Sequence, residues 1–114
     1  MDNKDFALLA AKTLSDKKAA DILAIDIAEK ASFADYLIVA TGNSERQVNS
    51  LADDVEDAFA KEELLVKNIE GKQNSGWILM DFGDIIVNIF TKELREKYSI
   101  EKVWGDCNFL EIEE

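Results

Sequence analysis

The sequence predicts one α/β domain, a mixed five-stranded sheet with helices packed on it. Three observations carry this. The chain has 114 residues, the length of a single domain. Segments with apolar residues at helical spacing interleave with β-branched, strand-length apolar runs. A helix between two such runs can cross between parallel neighbours, so parallel and antiparallel pairings are expected together.

In chain order, Phe6, Leu9, Ala10, Thr13 and Leu14 recur at helical spacing and predict a first helix from about Asp5 to Ser15. Ile22 to Ala28 is β-branched and alternates around Asp26, a strand. Tyr36-Leu37-Ile38-Val39-Ala40 is a continuous apolar run, as expected of a strand buried on both faces. Ser44 with Gln47 reads as a capping box that opens a helix to about Glu62. That helix buries Val48, Leu51, Ala52, Val55 and Phe59 and turns Asp53, Asp54, Glu56 and Asp57 outward. Leu64 to Ile69 reads as a third strand and Gly71 to Gly76 as a polar loop. Trp77 to Phe82 and Ile85 to Phe90 predict a hairpin around Gly83. A short helix from Lys92 to Tyr98 and a segment to Trp104 follow. The domain is expected over residues 1–106, with 107–114 a short acidic tail.

Composition narrows the function classes. A hydrophobic fraction of 47% is ordinary for a globular fold. No run approaches the ~20 apolar residues of a membrane span, and Met1-Asp2-Asn3-Lys4-Asp5 lacks the basic start of a signal peptide. Cys107 is the only cysteine, so no disulfide or cysteine cluster is expected, and the expected compartment is the cytoplasm. Twenty-four Asp and Glu against thirteen Lys and Arg give a net charge of −11. Such a surface repels bare nucleic acid and attracts a basic protein. The chain has no histidine, which removes Ser-His and Cys-His nucleophiles and His-based zinc sites. No cofactor is expected.

Three places could carry chemistry. Gly42-Asn43-Ser44 lies between a buried strand and a helix start, where an anion can sit, but it also reads simply as a turn and cap. Asp81-Phe82-Gly83-Asp84 sits at a hairpin tip; its paired carboxylates could bind Mg²⁺ or face a cationic partner. Trp77 opens a strand, and alternation with Leu79 and Asp81 would place an indole, an apolar group and a carboxylate on one face. Trp77 is then either a core residue or an exposed anchor.

Larger blocks of the sequence resemble a known family. Ser32-Phe33-Ala34-Asp35-Tyr36 and Ala40-Thr41-Gly42-Asn43-Ser44-Glu45-Arg46-Gln47-Val48 are similar to the signature of the ribosomal silencing factors, the RsfS or Iojap-like proteins. The resemblance continues through Glu70-Gly71, Trp77-Ile78-Leu79-Met80-Asp81-Phe82-Gly83-Asp84 and Ile100-Glu101-Lys102-Val103-Trp104-Gly105-Asp106. It implies a nucleotidyltransferase-like fold without the catalytic site, and a protein that is not an enzyme. It further implies binding to ribosomal protein L-fourteen on the large ribosomal subunit, so that the small subunit cannot join and translation is repressed. The contact group carried over is Trp77, Met80, Asp81 and Asp84; strict alternation separates Trp77 from Met80 unless the strand is bulged or at an edge. No membrane partner and no sequence-specific nucleic acid is implied, and a homodimer of the free protein is compatible with an exposed strand face. Departures are Asn88, where the family usually has His, Thr91-Lys92 in place of His-Pro, and Glu63 at a usual Gly. Thr91 can cap the following helix itself. The rival class is a magnesium-dependent nucleotidyltransferase using Asp81, Asp84 or Asp53 with the Gly42–Ser44 loop; a third is a generic acidic adaptor.

Overall fold

The computed structural model describes residues 1–71 and 75–112. Helix α1 (Asn3–Asp16) starts earlier than its apolar spacing implies, because Asp2 and Asp5 cap it reciprocally. The Asp2 carboxylate accepts from the Asp5 N–H at 2.8 Å, and the Asp5 carboxylate from the Asp2 N–H at 3.2 Å. Strands β1 (Ala20–Asp26) and β2 (Tyr36–Gly42) follow, then helix α2 (Glu45–Lys61). Ser44 caps α2 by accepting from the Gln47 N–H at 3.1 Å. The Gln47 side chain reaches one residue beyond the capping-box position, onto the Asn43 N–H.

Strand β3 is only Asn68–Glu70. The preceding residues leave the strand because the end of α2 holds them: Glu63 takes a left-handed φ of 66° and the Leu64 N–H bonds the Phe59 carbonyl at 3.0 Å. Strands β4 (Trp77–Asp81) and β5 (Ile85–Thr91) form the expected hairpin. Helix α3 (Lys92–Tyr98) is capped by the Thr91 hydroxyl, which accepts from the Leu94 N–H at 3.5 Å. A 3-10 helix (Ile100–Trp104) and strand β6 (Asn108–Phe109) complete the described chain. Of the Gly71–Gly76 loop, residues 72–74 lie outside the described residues.

The sheet has six strands rather than five, in the order β3-β4-β5-β2-β1-β6. Only β2 and β5 run parallel; every other neighbouring pair is antiparallel. The added strand corrects the expected boundary at residue 106 as well. Phe109 pairs with Ile25 and Asn108 with Asp26, the Leu110 N–H continues to the Ala24 carbonyl at 2.8 Å, and Leu110 and Ile112 pack on the core. The described part of the segment expected to be a tail is therefore stitched to the domain. Lys30 on the β1–β2 connection adds an exposed ion pair to Asp106 at 2.6 Å, which lowers the carboxyl pKa and raises that of the amine.

Strand parity divides the core. Ala24, Ile38, Ala40, Ile78, Met80, Ile85, Val87 and Ile89 face α1 and α2, where the Phe59 ring packs at a tilt against Phe6 at 5.2 Å and Phe82 at 4.4 Å between ring centroids. Ile25, Leu37, Val39 and Phe90 face the other way, toward α3 and the 3-10 helix. The two-sided burial of β2 is why its sequence is an unbroken apolar run. Arg95 fixes α3 there: Nη1 donates to the Asp21 carbonyl at 2.8 Å and the Thr41 hydroxyl at 2.9 Å, and Nε to Glu101 at 3.2 Å. Helix α3 packs on β5 and β2, so the β3–β4 side of this second face is left partly open.

Candidate partner-docking face

Register places the open face residue by residue. On β4, Trp77, Leu79 and Asp81 share one parity, opposite Phe90, Asn88 and Ile86 of β5. On β3, Glu70 and Asn68 lie opposite Leu79 and Asp81. The chain thus sets an apolar strip, Trp77, Leu79 and Ile86, each half-buried, beside a polar rim of exposed Glu70 and Asn68. Such an apolar centre with a polar edge is the usual anatomy of a protein interface.

Trp77 is held on three sides. Its ring stacks on Phe90 at 5.0 Å and 27°, and lies 5.0 Å from Tyr98 at 39°. Its Nε1–H donates to Asn88 Oδ1 at 3.0 Å, which satisfies the one polar atom of the indole. Beside it a groove of about 320 Å³ is lined by Glu70, Ser75, Leu79, Leu94 and Tyr98. Gly71 lets the backbone pass close to β4 at the groove's edge: its φ is +89°, and a Cβ there would sit 1.9 Å from the Trp77 carbonyl oxygen. Tyr98 remains 46% exposed despite its stacking, with Lys97 Nζ 5.6 Å from the ring centroid.

The four expected contact residues separate. Trp77 and Asp81 lie on the open face, Asp81 half-buried with Oδ1 accepting from the Gly83 N–H at 2.8 Å. Met80 does not join them. It is 0% exposed, packed beneath α2, and its pairing to Ile69 and Val87 is in continuous register. Since β4 is interior and unbulged, neither condition for turning Met80 outward is met, and its expected contact role is corrected. Asp84 is exposed at the hairpin tip but drawn toward α1: Asn3 Nδ2 donates to it at 3.2 Å and to Asp35 at 2.9 Å. That end is strongly acidic, and burial together with Asp26, Asp2 and Asp35 pushes the Tyr36 phenol up.

Leu79, Ile86, Glu70 and Tyr98 were not among the expected contacts. Alternation from Trp77 points to Leu79, and hairpin register points to Ile86. Nothing local in the sequence points to Tyr98, which arrives through the packing of α3.

The residues of the rival reading are dispersed. Asp53 lies on α2, across the sheet from Asp81. Among the described residues no three His, Cys, Asp or Glu side chains gather as a metal site. Gly42 has a packing reason to be glycine, since a Cβ would meet Val48 Cγ2 at 2.9 Å and its N–H at 3.1 Å. No helix among the described residues is long and apolar enough to cross a membrane.

Fold and face together define a small α/β domain that presents a half-open sheet surface. A sequence model of the family "Ribosomal silencing factor during starvation" matches residues 1–114. The chain is 36% identical over 113 residues to ribosomal silencing factor RsfS of Bacillus subtilis, covering 99% of this chain and 96% of that one. It superposes on the crystal structure of a Chromobacterium violaceum protein with a TM-score of 0.89 at 34% identity, covering 92% and 88% of the two chains. A mouse protein named for mitochondrial assembly of the ribosomal large subunit is 28% identical over 95 residues, 41% of its own length. The chain belongs to the ribosomal silencing factor family.

Proposed function

We propose that this protein represses translation in the cytoplasm by docking on ribosomal protein L-fourteen of the large ribosomal subunit and barring the small subunit from joining. The observation that supports it most is the open face: Trp77, Leu79 and Ile86 form an apolar strip edged by Glu70 and Asp81. A protein of net charge −11 presenting such a face suits a basic partner. The role is a binding one, with no reaction at the face. A body with extents of 32 × 31 × 27 Å on the joining surface would hold the subunits far beyond contact distance. In free solution a second copy could cover the same strip, and the partner would then displace it.

Titration of purified L-fourteen tests this. Trp77→Ala is expected to lose roughly 30-fold or more in affinity while remaining folded, the loss of an anchor worth ~2 kcal/mol. Asp81→Asn keeps an acceptor for the Gly83 N–H and removes only charge, so it should bind more weakly with a shallower salt dependence. Unchanged binding by both variants would place the contact elsewhere.

A further inference from the structure

We propose that Asn88 is a positioning residue for docking: buried beneath the open face, it fixes which edge of the Trp77 indole points into the sheet and which is offered to the partner. The inference rests on the docking reading above and adds a residue that the partner itself does not touch. Asn88 is 2% exposed, between Leu79 of β4 and Val39 of β2. A buried amide among the apolar residues Ile85 to Phe90 is unfavourable unless it is hydrogen-bonded. Its Oδ1 accepts from Trp77 Nε1–H at 3.0 Å.

The aromatic contacts cannot do this alone. Phe90 and Tyr98 constrain the plane of the indole, but stacking is indifferent to a flip that exchanges the ring's two edges. The amide oxygen is not indifferent, because only one orientation sets the N–H against it. A side chain ordered before contact loses less freedom on binding, so the hydrogen bond raises affinity without entering the interface. A histidine at this position would also accept the bond, but only while neutral, since a protonated imidazole carries N–H on both nitrogens. Asparagine frees the arrangement from that dependence.

The test uses the full chain with purified L-fourteen, comparing wild type, Asn88→Leu, Asn88→His and Trp77→Ala, with the Trp77 indole N–H followed by NMR. Asn88→Leu is expected to remain folded, to bind roughly 3- to 10-fold more weakly, as loss of one hydrogen bond implies, and to show an indole N–H shifted and exchanging faster. Asn88→His should bind almost as wild type at pH 8 and lose affinity toward pH 5.5. The wild-type profile supplies the background from the ionisable groups around the open face, Glu70 of β3, Asp81 of β4, and Tyr98 with its neighbour Lys97 of α3. Wild-type affinity in Asn88→Leu, with Trp77→Ala weakened, would overturn the inference. If Asn88→Leu does not fold, a flat pH ratio between Asn88→His and wild type overturns it instead. Undiminished binding by Trp77→Ala would overturn the docking reading, and this inference with it.

Discussion

Trp77 and Met80 stand on one strand and do opposite work. Period-two geometry sends Trp77 outward with Leu79 and Asp81, and sends Met80 inward with Ile78 beneath α2. Met80 has no exposed surface, so its removal should act on stability alone. Met80→Ala is expected to destabilise the domain by about 2–5 kcal/mol, the range for a buried side chain cut to a cavity. Its affinity for L-fourteen per folded molecule should match wild type, which chemical denaturation and titration on the same sample would check. A specific loss of affinity would return Met80 to the interface.

At the scale of elements, much of the fold can be read from local pattern, because local pattern causes it. Helix α2 declares itself by Ser44 and by apolar residues at helical spacing, β2 by its unbroken run, and the β4–β5 hairpin by Gly83 between two β-rich segments. Strand β6 is a different case. Two residues have no periodicity to read, and Asn108–Phe109 become a strand only because the edge of β1 is free to pair with them. The open face was half legible: alternation gives Trp77, Leu79 and Asp81, whereas Tyr98 and Asn88 gain their roles from neighbours brought together by the sheet. The family resemblance offers Trp77 to Asp84 as one block, but alternate residues of a strand face opposite sides, so Met80 cannot share the face of Trp77. Glu63 is legible in both senses. It stands where glycine is usual, and it keeps the glycine conformation at φ 66°, with its N–H on the Ala60 carbonyl at 2.9 Å. Glu63→Gly should therefore stabilise the protein by about 0.5–1 kcal/mol, the relief of left-handed strain less the added freedom of the unfolded chain. Thermal unfolding would show a higher midpoint, and a lower one would mean that the Glu63 side chain contributes more than its backbone costs.

In the proposed docking, charge and shape divide the labour across the whole molecule. The excess of carboxylates acts at a distance, speeds encounter with a basic surface, and weakens as salt rises. The open half-sheet acts at contact, where Trp77 and its neighbours supply apolar area. The remainder of the domain acts by occupying space, since α1 and α2 back the sheet with a full layer of packed side chains. Repression by the proposed docking would need no chemistry, only residence on the joining surface. The most direct measurement is sedimentation of the purified protein with separated ribosomal subunits, read for both co-migration and subunit joining. The protein is expected to travel with the large subunit, to lower the yield of joined ribosomes, and to lose both effects on Trp77→Ala. A protein that stays at the top of the gradient while joining proceeds unchanged would contradict docking on the large subunit.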